Sequence, residues 1–427
     1  MSFAVKPIGH QRPSKPNIVQ IVRVILFNLL LFVGLLLILE FSLWTFFPIR
    51  TEGLSVIRLI SQNLPGLKKE ITYSRNDNGL RSLSMTQYAK ADNVIRVLCI
   101  GASTTEQVTQ ETKDTWCALI ETKLNELYGD KYGMQFQTVN YGRGGLRAID
   151  NAQYLLENTD KIQPDIVITL FGINDLAWNG GKDYVYKSPE VELKKKKSKI
   201  RKFFRTYSQI RRRLKLVKRK FSIATGRSVE WHSENLPSLR KKYQSLKYRE
   251  TISRDPDPLE EFKDSVNWIV KYLIGRDTPV VLLGQPVLWS ANMTEDQVRA
   301  LWFPVSTHDG PVRPSGTWLQ KEMRRYNDVQ RQIALTYKNQ NIWYKDLEAV
   351  IPKTLDYFFD DCHYTDLGSA KVAEEVLPIV LKAVDLVLTK KSSPRIRSSR
   401  TADAAWVSRV RFAARREKFF TVTVAAD

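Results

Sequence analysis

The sequence predicts an α/β fold: a parallel sheet of five strands covered by helices on both faces, preceded by one transmembrane helix. Three observations predict it. Short apolar runs alternate along the chain with longer stretches of helical periodicity. Those runs are mostly apolar at consecutive positions rather than at every second one, as expected of strands buried on both faces. A single 24-residue stretch of mostly apolar side chains stands near the N-terminus, at 24–47.

Taken in order, the elements begin with that stretch. As a helix it spans about 36 Å, enough to cross a hydrocarbon core of about 30 Å. Glu40 is its one acid; it lies toward the end nearer Pro48, where it can reach the interface or protonate. Trp44, Phe46 and Phe47 suit an interfacial aromatic belt. Lys6, Arg12, Lys15 and Arg23 precede the span with no acid among them, so the positive-inside bias keeps residues 1–23 cytoplasmic and sends everything after Pro48 across the membrane. A cleaved signal peptide is the competing reading, but the stretch is long for one and no small-x-small cleavage site follows. The span and Pro48 form an anchor at 24–48, and residues 49–93 read as a juxtamembrane connector with turn signals at 75–79.

Strands are expected at 94–101, 135–142, 165–172, 279–285 and 342–347, and helices at 115–128, 148–158, 258–274, 319–338 and 366–388. Together they make a domain over 94–389. The tail, 390–427, is Ser/Arg-rich without sustained periodicity and reads as disordered. With 427 residues, 43% of them hydrophobic, the chain can bury a sizeable core. Its three cysteines include no CxxC: Cys99 and Cys117 read as core residues, and no pairing can be deduced for Cys362. The four histidines are too scattered for an HExxH metal site.

In a sheet of this kind the ligand site forms at the carboxyl ends of the strands. The first strand ends in Gly101-Ala102-Ser103-Thr104-Thr105 and the second in Asn140-Tyr141-Gly142-Arg143-Gly144-Gly145. The third ends in Gly172-Ile173-Asn174-Asp175, and Asp360-Asp361-Cys362-His363 precedes the last helix. Singly these are turns and caps; jointly they hold the parts of an acyl-transfer site. Ser103 offers a hydroxyl and His363 a base to take its proton. Asp360 can fix the imidazole tautomer, with Asp361 and Asp366 as rival partners. The backbone N–H groups of Ser103 and Gly145 and the side-chain amide of Asn174 can receive an oxyanion. His308 can line a pocket, though an ordinary loop residue is the simpler reading. The glycines after the second strand do not make a dinucleotide fingerprint, because Arg147 stands where the last glycine is needed.

These blocks resemble the SGNH (GDSL-like) hydrolase superfamily, whose blocks contribute Ser, Gly, Asn and His in that order. Gly101 to Thr105 is similar to the GxSTT form of block one, with alanine where the GDS motif has aspartate. Asn140-x-Gly142-x-x-Gly145, Gly172-x-Asn174-Asp175 and Asp360-x-x-His363 are similar to the remaining three, and Asn78-Gly79-Leu80-Arg81, Tyr326-Asn327 and Asp346-Leu347 to stretches of membrane-anchored members. The resemblance covers roughly residues 75–388. It implies a three-layer α/β/α sandwich of flavodoxin-like type, a Ser103-His363-Asp360 triad, oxyanion donors at Ser103, Gly145 and Asn174, and an esterase needing neither metal nor organic cofactor. The expected substrate is a carboxylic ester, either an O-acetyl group on a glycan or a lipid acyl ester, on the extracytoplasmic side. An O-acyltransferase using the same triad on envelope glycans and a non-catalytic envelope protein are the alternatives. Sequence gives no oligomeric state.

One segment makes the chain basic. Residues 193–229 hold 16 Lys/Arg and no acid, all but five of the net +21. Within it Ile200, Phe203, Phe204, Tyr207, Ile210, Leu214, Val217 and Phe221 form a helical stripe. Such a helix can lie in a membrane interface or pack on the domain with a solvated basic face. Nucleic acid is not expected as a partner, because the anchor places this insert away from the cytoplasm.

Overall fold

The computed structural model describes residues 18–46, 56–61, 63–76, 79–177, 236–253, 257–307 and 309–392, with isolated positions between 188 and 217. His308, most of the basic insert and the tail beyond 392 lie outside the described residues.

Five parallel strands form the central sheet: β3 (Val94–Gly101), β4 (Gln135–Asn140), β5 (Ile166–Leu170), β7 (Val280–Gly284) and β10 (Ile342–Asp346), in the order β10-β7-β5-β3-β4. Every residue of β3, β5 and β7 is buried, as their largely apolar runs require, Arg96 and Thr169 included. Helices Trp116–Leu124 and Asp366–Ser392 pack together on one face. Ala148–Ile162, Leu259–Ile274 and Gly316–Thr336 cover the other. The middle one buries Phe262, Val266, Ile269, Val270 and Leu273, spaced so as to share one stripe of a 3.6-residue helix. This is the expected three-layer sandwich. The chain reverses direction across the sheet between β3 and β5, so a crevice opens at their carboxyl ends.

Element limits differ from expectation where local chemistry decides. Strands β4 and β5 stop two residues early, because Asn140 turns to bond the backbone of Gly142 and Gly172 takes φ +126°. The helix expected to end at 158 continues to Ile162 and stops where Gln163 adopts the left-handed conformation. The small strands β6 (Tyr248–Arg249), β8 (Val305–Thr307) and β9 (Gly310–Pro314) form a separate sheet that periodicity does not reveal. The three cysteines are free and buried.

The N-terminal helix runs Ile18–Phe46, none of its residues buried, and is long and apolar enough to cross a membrane. Glu40 is not left bare on it. Its carboxylate accepts hydrogen bonds from the Ser208 hydroxyl (3.1 Å) and from the backbone N–H groups of Gln209 and Ile210 (3.0 Å for the latter), at the start of a helical stretch within the basic insert. A carboxylate there satisfies N–H groups that have no partner inside a helix.

The stretch read as a connector is structured too. Strands β1 (Val56–Ser61) and β2 (Glu70–Arg75) form an antiparallel hairpin, with Ile71, Tyr73 and Arg75 of β2 buried. Arg81 then exchanges backbone hydrogen bonds with Asn140 at the end of β4.

Candidate active site

Beyond β3 the chain enters a one-turn helix, Ser103–Glu106, closed by Gln107 in the left-handed conformation. The turn leaves Ser103 half-buried at its start and the threonines beneath: Thr104 hydroxyl donates to Gln285 Oε1 (3.2 Å), and the Trp116 indole donates to the Thr104 carbonyl (3.2 Å). Beyond β4, Asn140 bonds both loops at once. Its Nδ2 donates to the Thr105 carbonyl (2.6 Å) and its Oδ1 accepts from Gly142 N–H (2.8 Å). Position 142 must be glycine, since a Cβ there would lie 2.5 Å from the Thr105 carbonyl carbon and nearer still to the Glu106 nitrogen. Gly145 has φ +80°, a conformation that favours glycine, with nothing within 4 Å of where a Cβ would stand. Beyond β5, Asn174 Nδ2 donates to the Leu146 carbonyl (2.9 Å), and Asp175 accepts the N–H of Ala148 (3.0 Å), fixing the far end of the same loop. Burial pushes the Asp175 carboxyl up to about 7 against that hydrogen bond.

The segment before the last helix brings an acid and a base to the serine. His363 Nε2 lies 2.8 Å from Ser103 Oγ, and its Nδ1 lies 2.9 and 2.8 Å from the two oxygens of Asp360. A carboxylate only accepts, so Nδ1 carries a hydrogen, and in the neutral imidazole Nε2 is left to accept from Ser103. Asp360 is fully buried and well supplied with donors: Cys362 N–H (3.0 Å), His363 N–H (2.8 Å) and the Trp302 indole N–H (2.8 Å). Burial alone would raise its carboxyl; His363, with these donors, holds it below the usual range. Burial would likewise depress the imidazole, but Asp360 outweighs it and raises His363 well above the ordinary histidine value.

The rival acids are occupied elsewhere. Asp361 points to the Trp289 indole N–H (2.8 Å) and to the backbone N–H groups of Trp302 (2.8 Å) and Phe303 (3.2 Å), while burial and the neighbouring Asp360 push it up to about 7. Asp366 accepts from Gln110 Nε2 (3.3 Å). Cys362 Sγ is 3.8 Å from His363 Nδ1, yet burial pushes the thiol up to about 11, so it stays protonated and a poor nucleophile. Asp360, Cys362 and His363 place three metal-ligand atoms within 4.8 Å of one another. The carboxylate and imidazole nitrogen are bonded to each other there, which leaves no convergent donor set for an ion.

All five residues singled out from sequence therefore gather at one rim of the sheet. Trp302 and Trp289 were not foreseen as site residues: Trp302 donates to Asp360 across 58 residues of chain, and Trp289 to Asp361 across 72. Their signal is chemical: two adjacent buried acids need donors, and indole N–H groups from Trp289 and Trp302 supply them.

Residues 99–371 match the GDSL-like lipase/acylhydrolase family, and the chain belongs to that family. It is thus a hydrolase acting on ester bonds. Among solved structures it is similar to Axe2, an acetylxylan esterase from Geobacillus stearothermophilus, with 16% identity, TM-score 0.36, and 67% of this chain and 94% of that one covered. It is also similar to the acetyl xylan esterase AlAXEase (14% identity, TM-score 0.35, 67% and 100% covered). A third is LAE5, an alpha/beta hydrolase enzyme from the metagenome of Lake Arreo, Spain (16%, 0.35, 70% and 99%). Likenesses this distant say nothing of the substrate. No curated protein matches the chain.

Proposed function

We propose that the chain is a membrane-anchored serine esterase that hydrolyses a carboxylic ester, a glycan O-acetyl group or a lipid acyl ester, outside the cytoplasm. The observation that carries this reading is the unbroken hydrogen-bonded series from Ser103 Oγ through both nitrogens of His363 to Asp360. His363 takes the serine proton as Oγ bonds to the ester carbonyl carbon, and the buried Asp360 carboxylate stabilises the imidazolium that forms. The negative oxygen of the tetrahedral intermediate is received by the N–H groups of Ser103 and Gly145 and by the Asn174 amide, which has a second hydrogen beyond the one given to Leu146. His363 returns the proton to the departing alcohol. Water, deprotonated by the same imidazole, then cleaves the acyl-enzyme and restores Ser103. The cationic N-terminus ahead of the apolar helix supports placing the domain outside the cytoplasm.

The test uses the full chain in detergent with p-nitrophenyl acetate and longer-chain esters. Wild type is expected to hydrolyse at least one ester and to react at Ser103 with a fluorophosphonate; Ser103→Ala should lose roughly a thousandfold or more in kcat. A preference for acetate favours the O-acetyl substrate, and rates rising with acyl length favour a lipid. Wild type that neither hydrolyses nor labels sinks the proposal.

A further inference from the structure

The buried carboxylate of Glu106 lies one turn beyond Ser103 and takes no part in the proton transfers described above. We propose that Glu106, clamped by Tyr73 and Arg75 of the juxtamembrane hairpin, is a positioning residue that sets the loop presenting Gly145 to the oxyanion. The inference deepens the esterase reading and rests on it.

The two oxygens of Glu106 face two different parts of the protein. Oε1 accepts from the Tyr73 hydroxyl (3.0 Å) and from the Arg75 guanidinium, with which it forms an ion pair almost fully removed from solvent. Oε2 accepts the N–H of Gly144 (2.6 Å), the residue immediately before Gly145. With its own N–H bonded to a carboxylate, Gly144 is committed to the scaffold, and the next residue, Gly145, departs from it at φ +80°. Arg75 reaches the same loop on its other side, toward the Gly142 carbonyl (3.4 Å).

The rest of the residue is held as firmly. Its carbonyl and those of Gln107 and Gln110 accept from the buried Arg81 guanidinium, which lies 4.7 Å over the Tyr73 ring. Its backbone nitrogen is packed against Gly142. Three segments thus converge on this residue of the nucleophile turn: the hairpin and the glycine loop on its carboxylate, and the Asn76–Arg81 turn on its carbonyl. A buried ion pair of this kind is weak evidence for stability but strong for fixing a geometry, because an unpaired partner would be costly to leave in place. By this account the hairpin that directly follows the membrane helix is a working part of the site.

The experiment compares wild type with Glu106→Gln, Arg75→Gln and Tyr73→Phe in the full chain. Glutamine keeps the shape but turns one acceptor into a donor, facing either Gly144 N–H or the hairpin's own donors. A donor misplaced by a fraction of an ångström matters in the transition state and little in substrate binding, so Glu106→Gln should lower kcat roughly 10–100-fold with KM within about twofold. The double variant with Arg75→Gln should be no worse than Glu106→Gln alone, since both act through one carboxylate. Amide hydrogen exchange over 142–146 should quicken in Glu106→Gln, and this readout needs no turnover. Wild-type exchange in that loop, or a wild-type kcat in a folded Glu106→Gln, overturns the proposal. Absence of hydrolysis and labelling in wild type sinks the esterase reading instead, and the exchange result still decides whether Glu106 holds the loop.

Discussion

Replacing Gly142 by alanine puts a methyl group where the backbone of the nucleophile turn already stands. Built on the present chain, the new carbon would lie 2.5 Å from the Thr105 carbonyl carbon and 2.7 Å from Glu106 Cα, where ordinary contact begins at about 3.4 Å. Neither neighbour is the end of a flexible side chain, so the glycine loop and the serine turn must separate by roughly 1 Å. The φ of Gly142 is not in the left-handed region, so alanine meets no backbone penalty there and the effect is steric alone. Overpacking of this sort costs about 1–3 kcal/mol. A displacement of about 1 Å between nucleophile and oxyanion donors corresponds to roughly 100-fold in kcat. Gly133 supplies the contrast: at φ +59° with nothing within 4 Å, beside the opposite end of β4, its alanine variant should lose about 1 kcal/mol of stability and no turnover. Thermal melting and kcat on p-nitrophenyl acetate, measured for both, decide the matter. A Gly142→Ala protein with wild-type melting and wild-type kcat would show that the close approach of the two loops is not what shapes the site.

Three further outcomes are expected. Because Asp360 raises His363 well above its ordinary 6.5, activity should climb with pH along a limb centred above that value; Asp360→Asn, leaving burial to dominate, should move the limb lower and cut kcat by up to about 10⁴. The stability sign follows from the same pair. His363 is stabilising below about 6.5 and loses this as pH rises through its raised folded value, while Asp360 is stabilising above its ordinary 3.8 and loses this as pH falls through its lowered one. The melting gap between wild type and Asp360→Asn should therefore be widest between those two pH values, and a gap that does not vary with pH contradicts the assignment. Trp302→Phe removes one charge-assisted hydrogen bond from Asp360, worth about 1.5–3 kcal/mol, and should lower kcat about tenfold or more; an unchanged kcat would make the indole a bystander. Glu40→Ala removes the acceptor at Ser208–Ile210, a capping loss of about 0.5–2 kcal/mol, and should speed tryptic cleavage at Arg211 and Arg213 several-fold; equal cleavage rates would argue against that contact.

Much of the fold was legible because its signals are local. Residues 94–101 are apolar at every position but Arg96 and come out as a strand buried at every position; the stripe at Phe262, Val266, Ile269, Val270 and Leu273 came out as a helix face. The four motif blocks were legible for a related reason, since each sits on the residues directly after a strand or before a helix. The hairpin was not, because Ile57 to Tyr73 shows no alternation strong enough to separate it from a linker, and its buried positions are defined by what Tyr73 and Arg75 touch 31 to 67 residues away. Glu40 looked like a flaw in an apolar helix for the same reason: its hydrogen-bond donors lie about 170 residues downstream.

By itself the sequence determined which side chains could do acyl chemistry and that they would end up at one rim, because periodicity fixes strand ends and parallel strands share a direction. Only the tertiary structure decided which acid faces the imidazole, since Asp360, Asp361 and Asp366 are chemically alike and are sorted by the donors that surround them. It also decided which distant groups brace these loops: Trp302 donates to Asp360, and Tyr73 and Arg75 of the hairpin hold Glu106. Hydrogen bonds act over about 3 Å and carry no trace along the chain, so such support becomes visible only once the chain has closed on itself.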